Sequence, residues 1–298
     1  MKVLLEAPIL TKSGYGEHAR LVYEAMQLEE NIDLHINPLE WGQTTWGAPN
    51  ENMAFCINRF VQYFHYCQNN KIELEYDLHI HVGIPNEFTK KGKHSICVTA
   101  GIETDRVSPN WIVKTYQGID KIIVPSEHAK SGFVNTNYQI QNKQNNTETV
   151  IKCNCPVLVV PYPVKELEID SIDLNLETDF NFLTIATWGP RKNIQDTLKC
   201  FIEEFRNDKN VGLVLKTSFG RASTIDRIKT KSLISGLVSA FGPHECKVYL
   251  LHGDLTENQI HSLYANDNIK AYYTTTHGEG YGLPIFEAAY SGMPVVAT

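Results

Sequence analysis

Two carboxylates, Glu279 and Glu287, have seven residues between them and lie in the run His277-Gly278-Glu279-Gly280-Tyr281-Gly282-Leu283-Pro284-Ile285-Phe286-Glu287. The apolar stretch Ile269 to Tyr273 leads into it and reads as a buried strand. Glycine lets a backbone come close to a ligand. Pro284 has the place of a first-turn proline, so a helix is expected from Pro284 to about Tyr290. The N-terminus of a helix carries free N–H groups and partial positive charge, which together favour an anion such as phosphate. Carboxylates beside such a site accept hydrogen bonds from neutral hydroxyls. Phosphate on the helix end, with hydroxyls on Glu279 and Glu287, describes a sugar nucleotide.

A second anion site is expected in Trp188-Gly189-Pro190-Arg191-Lys192-Asn193, between a predicted strand (Phe182 to Ala186) and a predicted helix (Asn193 to Phe205). Arg191 has the fork geometry for two phosphate oxygens, and Lys192 adds a point charge. A basic pair at a helix start opposes the helix dipole, so an anion is the better explanation for it. Near the N-terminus, Gly14-x-Gly16-x-x-Ala19 matches the dinucleotide fingerprint, although Pro8 to Lys12 separates it from its strand. His277-Gly278-Glu279 imitates the His-x-Glu of zinc deaminases, but no cysteine follows Cys246 to complete that signature. Cys153-Asn154-Cys155 has no matching His/Cys cluster and reads as a pair of solvent-side thiols.

Glu279-x7-Glu287 enclosing Gly280, Tyr281, Gly282, Leu283 and Pro284, then continuing through Ala288-Ala289-Tyr290-Ser291-Gly292-Met293-Pro294, resembles the signature of retaining glycosyltransferases of the GT-B fold. The loop at Arg191 and Lys192 is similar to the Pro-Arg-Lys-Asn loop with which the same family grips the donor diphosphate. The resemblance implies two Rossmann-like, doubly wound parallel-sheet domains facing across a cleft. It also implies transfer of a hexose from a nucleotide-diphosphate sugar with retention. By the same resemblance, Arg191 and Lys192 stabilise the departing diphosphate, helped by Lys216. Glu287 would hold the ribose and Glu279 the sugar, with Gly253 and the Gly280–Pro284 segment lining the donor. Gly14 and Gly16 would form a glycine-rich loop toward the donor.

The chain departs from the family in two places. Ala186 and Thr187 stand where many relatives carry a further arginine, and Ile102-Glu103-Thr104-Asp105-Arg106 lacks the histidine expected nearby. Glu103 is the expected replacement; the plainer alternative is that Asp105 and Arg106 merely pair with each other. No Asp-x-Asp occurs, so no metal is expected, and no cofactor beyond the nucleotide sugar as co-substrate. The chain stops at Thr298 inside a predicted strand, which leaves a fragment or a reduced relative as the expectation. A binding-only relative is the rival reading, and an oxidoreductase resting on Gly14 and Gly16 a distant third.

The elements that position these residues alternate between strand and helix, as in a parallel sheet covered on both faces. In the first half, strands are expected at Lys2 to Ala7, Ile32 to Ile36, Asp77 to Val82, His94 to Thr99, Lys121 to Val124 and Val157 to Val160. Asp77 to Val82 alternates, with His79 and His81 on one face and Leu78, Ile80 and Val82 on the other. Helices are expected from Gly16 to Leu28, Asn52 to Cys67, Pro109 to Tyr116 and Ser126 to Val134, and a mobile polar loop from Gln139 to Thr149. Domains are expected at 1–164 and 180–298, with 165–179 as a charged linker. In the second half the pattern restarts, with strands at Val211 to Lys216 and Val248 to Leu251 and helices at Thr224 to Ala240 and Glu257 to Tyr264.

A length of 298 residues suits two domains, and 42% hydrophobic residues fill sizeable cores. A net charge of −7 argues against a nucleic-acid backbone as partner. An unidentified saccharide, lipid or protein acceptor is the other expected partner. Seven cysteines without a C-x-x-C pair, and no stretch fit to span a bilayer, lead to a cytoplasmic expectation.

Overall fold

A computed structural model of the chain describes residues 1–298 apart from 143–146, 166–167 and 171, and the side chains of 142 and 147 also lie outside the description. The chain divides into two compact units, Met1–Pro163 and Val164–Thr298.

The first unit runs β1 (Lys2–Ala7), α1 (Gly14–Gln27), β2 (Asp33–Pro38), α2 (Glu51–Asn70), β3 (Tyr76–Val82), β4 (Gly92–Val98), α3 (Pro109–Lys114), β5 (Lys121–Val124), α4 (Glu127–Asn135), β6 (Asn137–Asn142), β7 (Thr147–Lys152) and β8 (Val157–Val159). Its main sheet has six strands in the order β2-β1-β3-β4-β5-β8, every neighbouring pair parallel. Val3, Leu5, Leu34, Ile36, Ile80 and Val82 pack with Ala19 and Tyr23 of α1 and Met53 of α2. A second core gathers Phe88, Cys97, Ile122, Ile112 of α3, and Ala129 and Phe133 of α4. Both faces are therefore covered, as βαβ crossovers require. The alternation read in β3 holds, but His79 and His81 are as buried as Ile80 and Val82, while Leu78 is half-buried.

Three expectations for this unit need correction. α1 starts at Gly14, two residues early, because the Ser13 hydroxyl caps it by accepting from the Gly16 amide at 3.0 Å. Gly14 and Gly16 thus belong to the first helical turn rather than to a loop. The polar stretch from Gln139 to Thr149 is largely β-structure: β6 and β7 pair antiparallel from Asn137 opposite Lys152 to Asn142 opposite Thr147, and 143–146 fall outside the described residues. Cys153 and Cys155 are half-buried, not solvent-side, because they pack on the second core.

The second unit runs β9 (Phe180–Ile185), α5 (Ile194–Glu204), β10 (Val211–Lys216), α6 (Thr224–Ala240), β11 (Lys247–Leu251), α7 (Glu257–Tyr264), β12 (Ile269–Thr274), α8 (Leu283–Tyr290) and β13 (Val295–Ala297). Its five strands lie in the order β11-β10-β9-β12-β13, all pairs parallel. Leu213, Leu215 and Phe182 face Ile194, Leu198, Phe201 and Ile202 of α5 and Ile234 of α6. Leu183, Val214 and Tyr272 face Leu263 and Tyr264 of α7 and Ala288 of α8. Thr256 closes a full capping box at the start of α7 with Gln259.

The expected linker, 165–179, belongs to this unit. Ile172, Leu174 and Leu176 pack on the core beneath α7 and α8, and the Asp170 amide donates to the Ser262 hydroxyl at 2.8 Å. Residues 166–167 and 171 of that stretch are outside the description. Strand order reverses at β9, which has β10 on one side and β12 on the other. Ligands of open α/β sheets bind at such a switch point, outside the carboxyl ends of the strands. The loops that follow β9 and β12 are therefore the ones to inspect.

Candidate active site

The loop after β9 is tied down before it reaches its charged residues. The Ala186 amide donates to the Lys216 carbonyl at 3.1 Å and the Trp188 amide to the Ser218 carbonyl at 2.7 Å. Pro190–Lys192 then forms a single 3₁₀ turn, so α5 begins one residue later than the sequence suggests. Asn193 ends the turn with φ +49°, in the left-handed region. Its side-chain amide donates to the Thr275 carbonyl at 3.0 Å, and its own carbonyl accepts from the hydroxyls of Thr197 and Thr275, each at 3.2 Å. The His277 amide and the Thr276 hydroxyl donate to the Arg191 carbonyl at 2.9 and 3.1 Å. The two loops at the switch point are thus stitched through their backbones.

This stitching sets the charged groups against each other. An Arg191 guanidinium N–H donates to the Gly278 carbonyl at 2.6 Å and to Glu279 Oε2 at 3.0 Å. Lys192 Nζ donates to both carboxylate oxygens of Glu279, at 2.5 and 2.6 Å. Side-chain exposure is 45% for Arg191, 20% for Lys192 and 18% for Glu279. The anion expected at the basic pair is present here, and it is the protein's own carboxylate. Arg191 is half-exposed, so its pair with Glu279 contributes about 1 kcal/mol or less, whereas the Lys192 pair is largely sheltered.

Gly282 sits at the N-cap of α8 with φ +80°, where any side chain would be strained. The helix begins at Leu283, one residue before Pro284, and its first intrahelical bond runs from the Phe286 amide to the Gly282 carbonyl at 2.9 Å. Pro284 brings no N–H to this helix end, so fewer amides are available to an anion than a general helix start would offer. Glu287, one turn in, accepts from the Tyr264 hydroxyl at 3.0 Å. Burial first, then the Glu287 charge, raise the Tyr264 pKa, so this phenol stays a donor. Lys216 ends β10 and donates from Nζ to the Gly253 carbonyl at 2.7 Å, which joins two further sequence candidates. Gly280 and Tyr281 are partly buried and His277 is exposed.

One network here has no sequence signature. Asp226 of α6 accepts from His252 Nε2 at 2.8 Å, from the Thr230 hydroxyl, and from the amides of Phe219 and Arg221. Burial opposes its ionisation, but the His252 bond and the two amides hold its carboxyl below the usual range. It fixes the loop after β10. The Ser223 cap at the start of α6 is legible in the sequence, whereas the burial of the aspartate behind it is not.

In the first unit, Tyr15 links two candidate segments. Its hydroxyl lies 3.0 Å from the Thr99 hydroxyl and accepts from the Ala100 amide at 3.2 Å. Its ring lies 4.1 Å from that of Trp41. Burial raises its pKa, and the charge of Glu103 adds to this. Glu103 is exposed, in the loop that follows β4, and the Thr104 hydroxyl donates to the Arg106 carbonyl at 2.7 Å. Gly14 is exposed with open space around it, whereas a β-carbon on Gly16 would strike the Thr11 carbonyl. Gly16 is thus required by packing of α1 against the loop before it.

No family model matches the chain, and no curated protein matches it. Solved structures do. The trehalose-6-phosphate protein from E. coli bound with UDP-2-fluoro glucose covers the whole chain at 10% identity with a TM-score of 0.53, the match spanning 84% of that protein. Anabaena HepE in complex with UDP-glucose covers 100% of the chain at 14% identity with a TM-score of 0.50, over 80% of its own length. The chain has the GT-B fold. It spans much less of other GT-B structures, such as 40% of TarM, where 74% of the chain aligns at 17% identity and a TM-score of 0.44. Within the GT-B chain, the second unit carries Arg191, Lys192, Glu279 and Glu287 on the loops and helix around its switch point. Among the described residues, no helix is long and apolar enough to cross a membrane.

Proposed function

We propose that the chain transfers a hexose from a nucleotide-diphosphate sugar to an acceptor, with retention at the anomeric carbon. The observation that carries this reading is the convergence of Arg191 and Lys192 on Glu279 at the switch point of the second sheet. Two cations and one carboxylate form an exchangeable set. A donor diphosphate takes the cations, and the released Glu279 then accepts hydrogen bonds from the sugar. Glu287, oriented by Tyr264, accepts from the ribose. As the bond to the sugar breaks, negative charge grows on the leaving diphosphate, and Arg191, Lys192 and the start of α8 stabilise it. One well-placed donor of this kind typically contributes ~3 kcal/mol to lowering the barrier.

Two of the similar structures hold UDP-glucose or a UDP-2-fluoro glucose, which makes UDP-glucose the first donor to test. Retention follows the family resemblance, and the positive charge needed at the diphosphate is assigned to protein groups rather than to a metal. All seven cysteines are free, which fits a reducing compartment, and we assign the protein to the cytoplasm.

The test is calorimetry with UDP and uridine on the Arg191→Ala/Lys192→Ala variant. UDP affinity should fall at least a hundredfold while uridine binding stays within twofold. Equal losses for both ligands would sink the assignment. With an acceptor found, transfer should proceed in excess EDTA, and the product's anomeric proton coupling should match that of the donor.

A further inference from the structure

The first unit holds a second convergence of titratable groups, which the proposed transfer does not use. β1 and β3 pair with Glu6 opposite His81 and Leu4 opposite His79, so Glu6, His79 and His81 share one face of the sheet. Their exposure is 4%, 0% and 3%. His79 Nε2 lies 3.0 Å from Glu6 Oε2, while Lys91 Nζ and the Asn37 amide reach Glu6 Oε1 at 2.6 and 2.7 Å. Glu6 is thus fully engaged, but the imidazoles are not.

His79 Nδ1 and both ring nitrogens of His81 are buried without a hydrogen bond of good geometry, the Ile84 backbone being a weak neighbour of the His81 ring. Ser95, in register with His79 on β4 and so on the same face, has its hydroxyl buried and unpartnered as well. Buried polar atoms are nearly always satisfied, so the orphaned His81 ring and Ser95 hydroxyl call for a missing partner, with His79 Nε2, now bonded to Glu6, as the neighbouring ligand atom. One donor atom from each of Glu6, His79 and His81 lies within 4.8 Å of the others. A divalent ion about 2.0–2.1 Å from each donor holds them roughly 3–3.5 Å apart. The Glu6–His79 pair already has that spacing, and His81 closes the rest by turning its ring. Gly83 leaves room for that turn, since a β-carbon there would stand 2.8 Å from His81 Nε2. Phe88 stacks on His79 with ring centroids 5.5 Å apart and meets His81 edge-on at 6.0 Å, giving a dry aromatic wall.

We propose that Glu6, His79 and His81 form a structural binding site for a borderline divalent transition metal of the Zn²⁺ class. Two imidazoles and a carboxylate are a donor set suited to such ions. A water on the remaining tetrahedral position would find its partner in the Ser95 hydroxyl. Lys91 is the competitor. It neutralises Glu6 when the ion is absent, and with a side chain 36% exposed it swings into solvent when the ion arrives. The ion pins β1 to β3 and takes no part in transfer.

The full chain, stripped with a chelator and then dialysed, should bind one equivalent of Zn²⁺ in calorimetry and gain several degrees in Tm. Co²⁺ should give visible absorption bands of a four-coordinate site. His81→Gln should weaken Zn²⁺ binding at least a hundredfold, while His277→Gln, at an exposed ring, leaves it unchanged. Because a core variant can misfold, Lys91→Gln provides the opposite test: removing the competitor should tighten Zn²⁺ at least tenfold. No stoichiometric binding to the wild type, or an affinity unmoved by Lys91→Gln, overturns the site.

Discussion

Glu6 and Glu279 each accept from a lysine at 2.5 to 2.6 Å, yet they teach opposite lessons. Glu6 lies in a central strand, with neighbours fixed by sheet register. Burial alone would raise its pKa, but the His79 and Lys91 bonds, the Lys91 charge and the Asn37 amide outweigh it and hold the carboxyl at about 2. Glu279 lies in a loop, and the groups that meet it also come from a loop. The strand carboxylate is part of the architecture; the loop carboxylate keeps a place that a ligand can take.

Acid should separate the two regions most strongly. Burial pushes both His18 and His81 down to about 4. Below about 6.5 the unfolded rings take up protons that the folded rings refuse. The rings' share of the stability is therefore complete above that pH and falls as pH drops from 6.5 toward 4, each ring contributing up to about 3 kcal/mol, after which the depressed Glu6 carboxyl carries the decline on toward pH 2. Urea unfolding in chelator across this window should show the decline, and His18→Gln should remove roughly half of it. A flat profile would mean that these rings are hydrated in solution.

Truncation tests the same contrast at neutral pH. Glu6→Ala leaves Lys91 and His79 without their shared acceptor and should cost about 3 kcal/mol of unfolding free energy in chelator. Glu279→Ala should cost less, about 1–2 kcal/mol, because Arg191 reaches solvent. Equal losses would erase the distinction. Glu279→Gln, which keeps the shape but frees the cations from a charge, should tighten UDP roughly tenfold, about 1.4 kcal/mol, while lowering the transfer rate. Weaker UDP binding in that variant would show that Glu279 helps to hold the diphosphate. The smallest effect is expected at Asn193. Ala there must adopt the left-handed conformation that Gly adopts freely, so Asn193→Gly should exceed Asn193→Ala in stability by ~1 kcal/mol.

Regular elements of the second unit were legible because their signals are local. β10, α6 and α7 coincide with the expected spans residue for residue, since an unbroken apolar run, a serine cap and a threonine cap mark them. The Glu279–Lys192 contact joins residues far apart in sequence through a left-handed Asn193 and the Thr275 backbone, and no periodicity encodes that. Likewise, alternation in β3 places His79 beside His81, but only the strand order brings Glu6 to them. The β6–β7 hairpin was hidden by its polar composition. The segment expected as a linker carries a usable signal, the alternation of Ile172, Leu174 and Leu176 between polar residues.

The tethered Glu279 also bears on which anions gain entry. A carboxylate held beside Arg191 and Lys192 by its own backbone acts as a competitor at high effective concentration. Chloride or inorganic phosphate would have to displace that competitor without any further anchorage. A nucleoside diphosphate bound as proposed would engage Arg191, Lys192 and the start of α8 together, and its base and ribose would add anchorage. On the proposed reading, the residue assigned to the sugar would thus also filter small anions and leave the loop to multidentate guests.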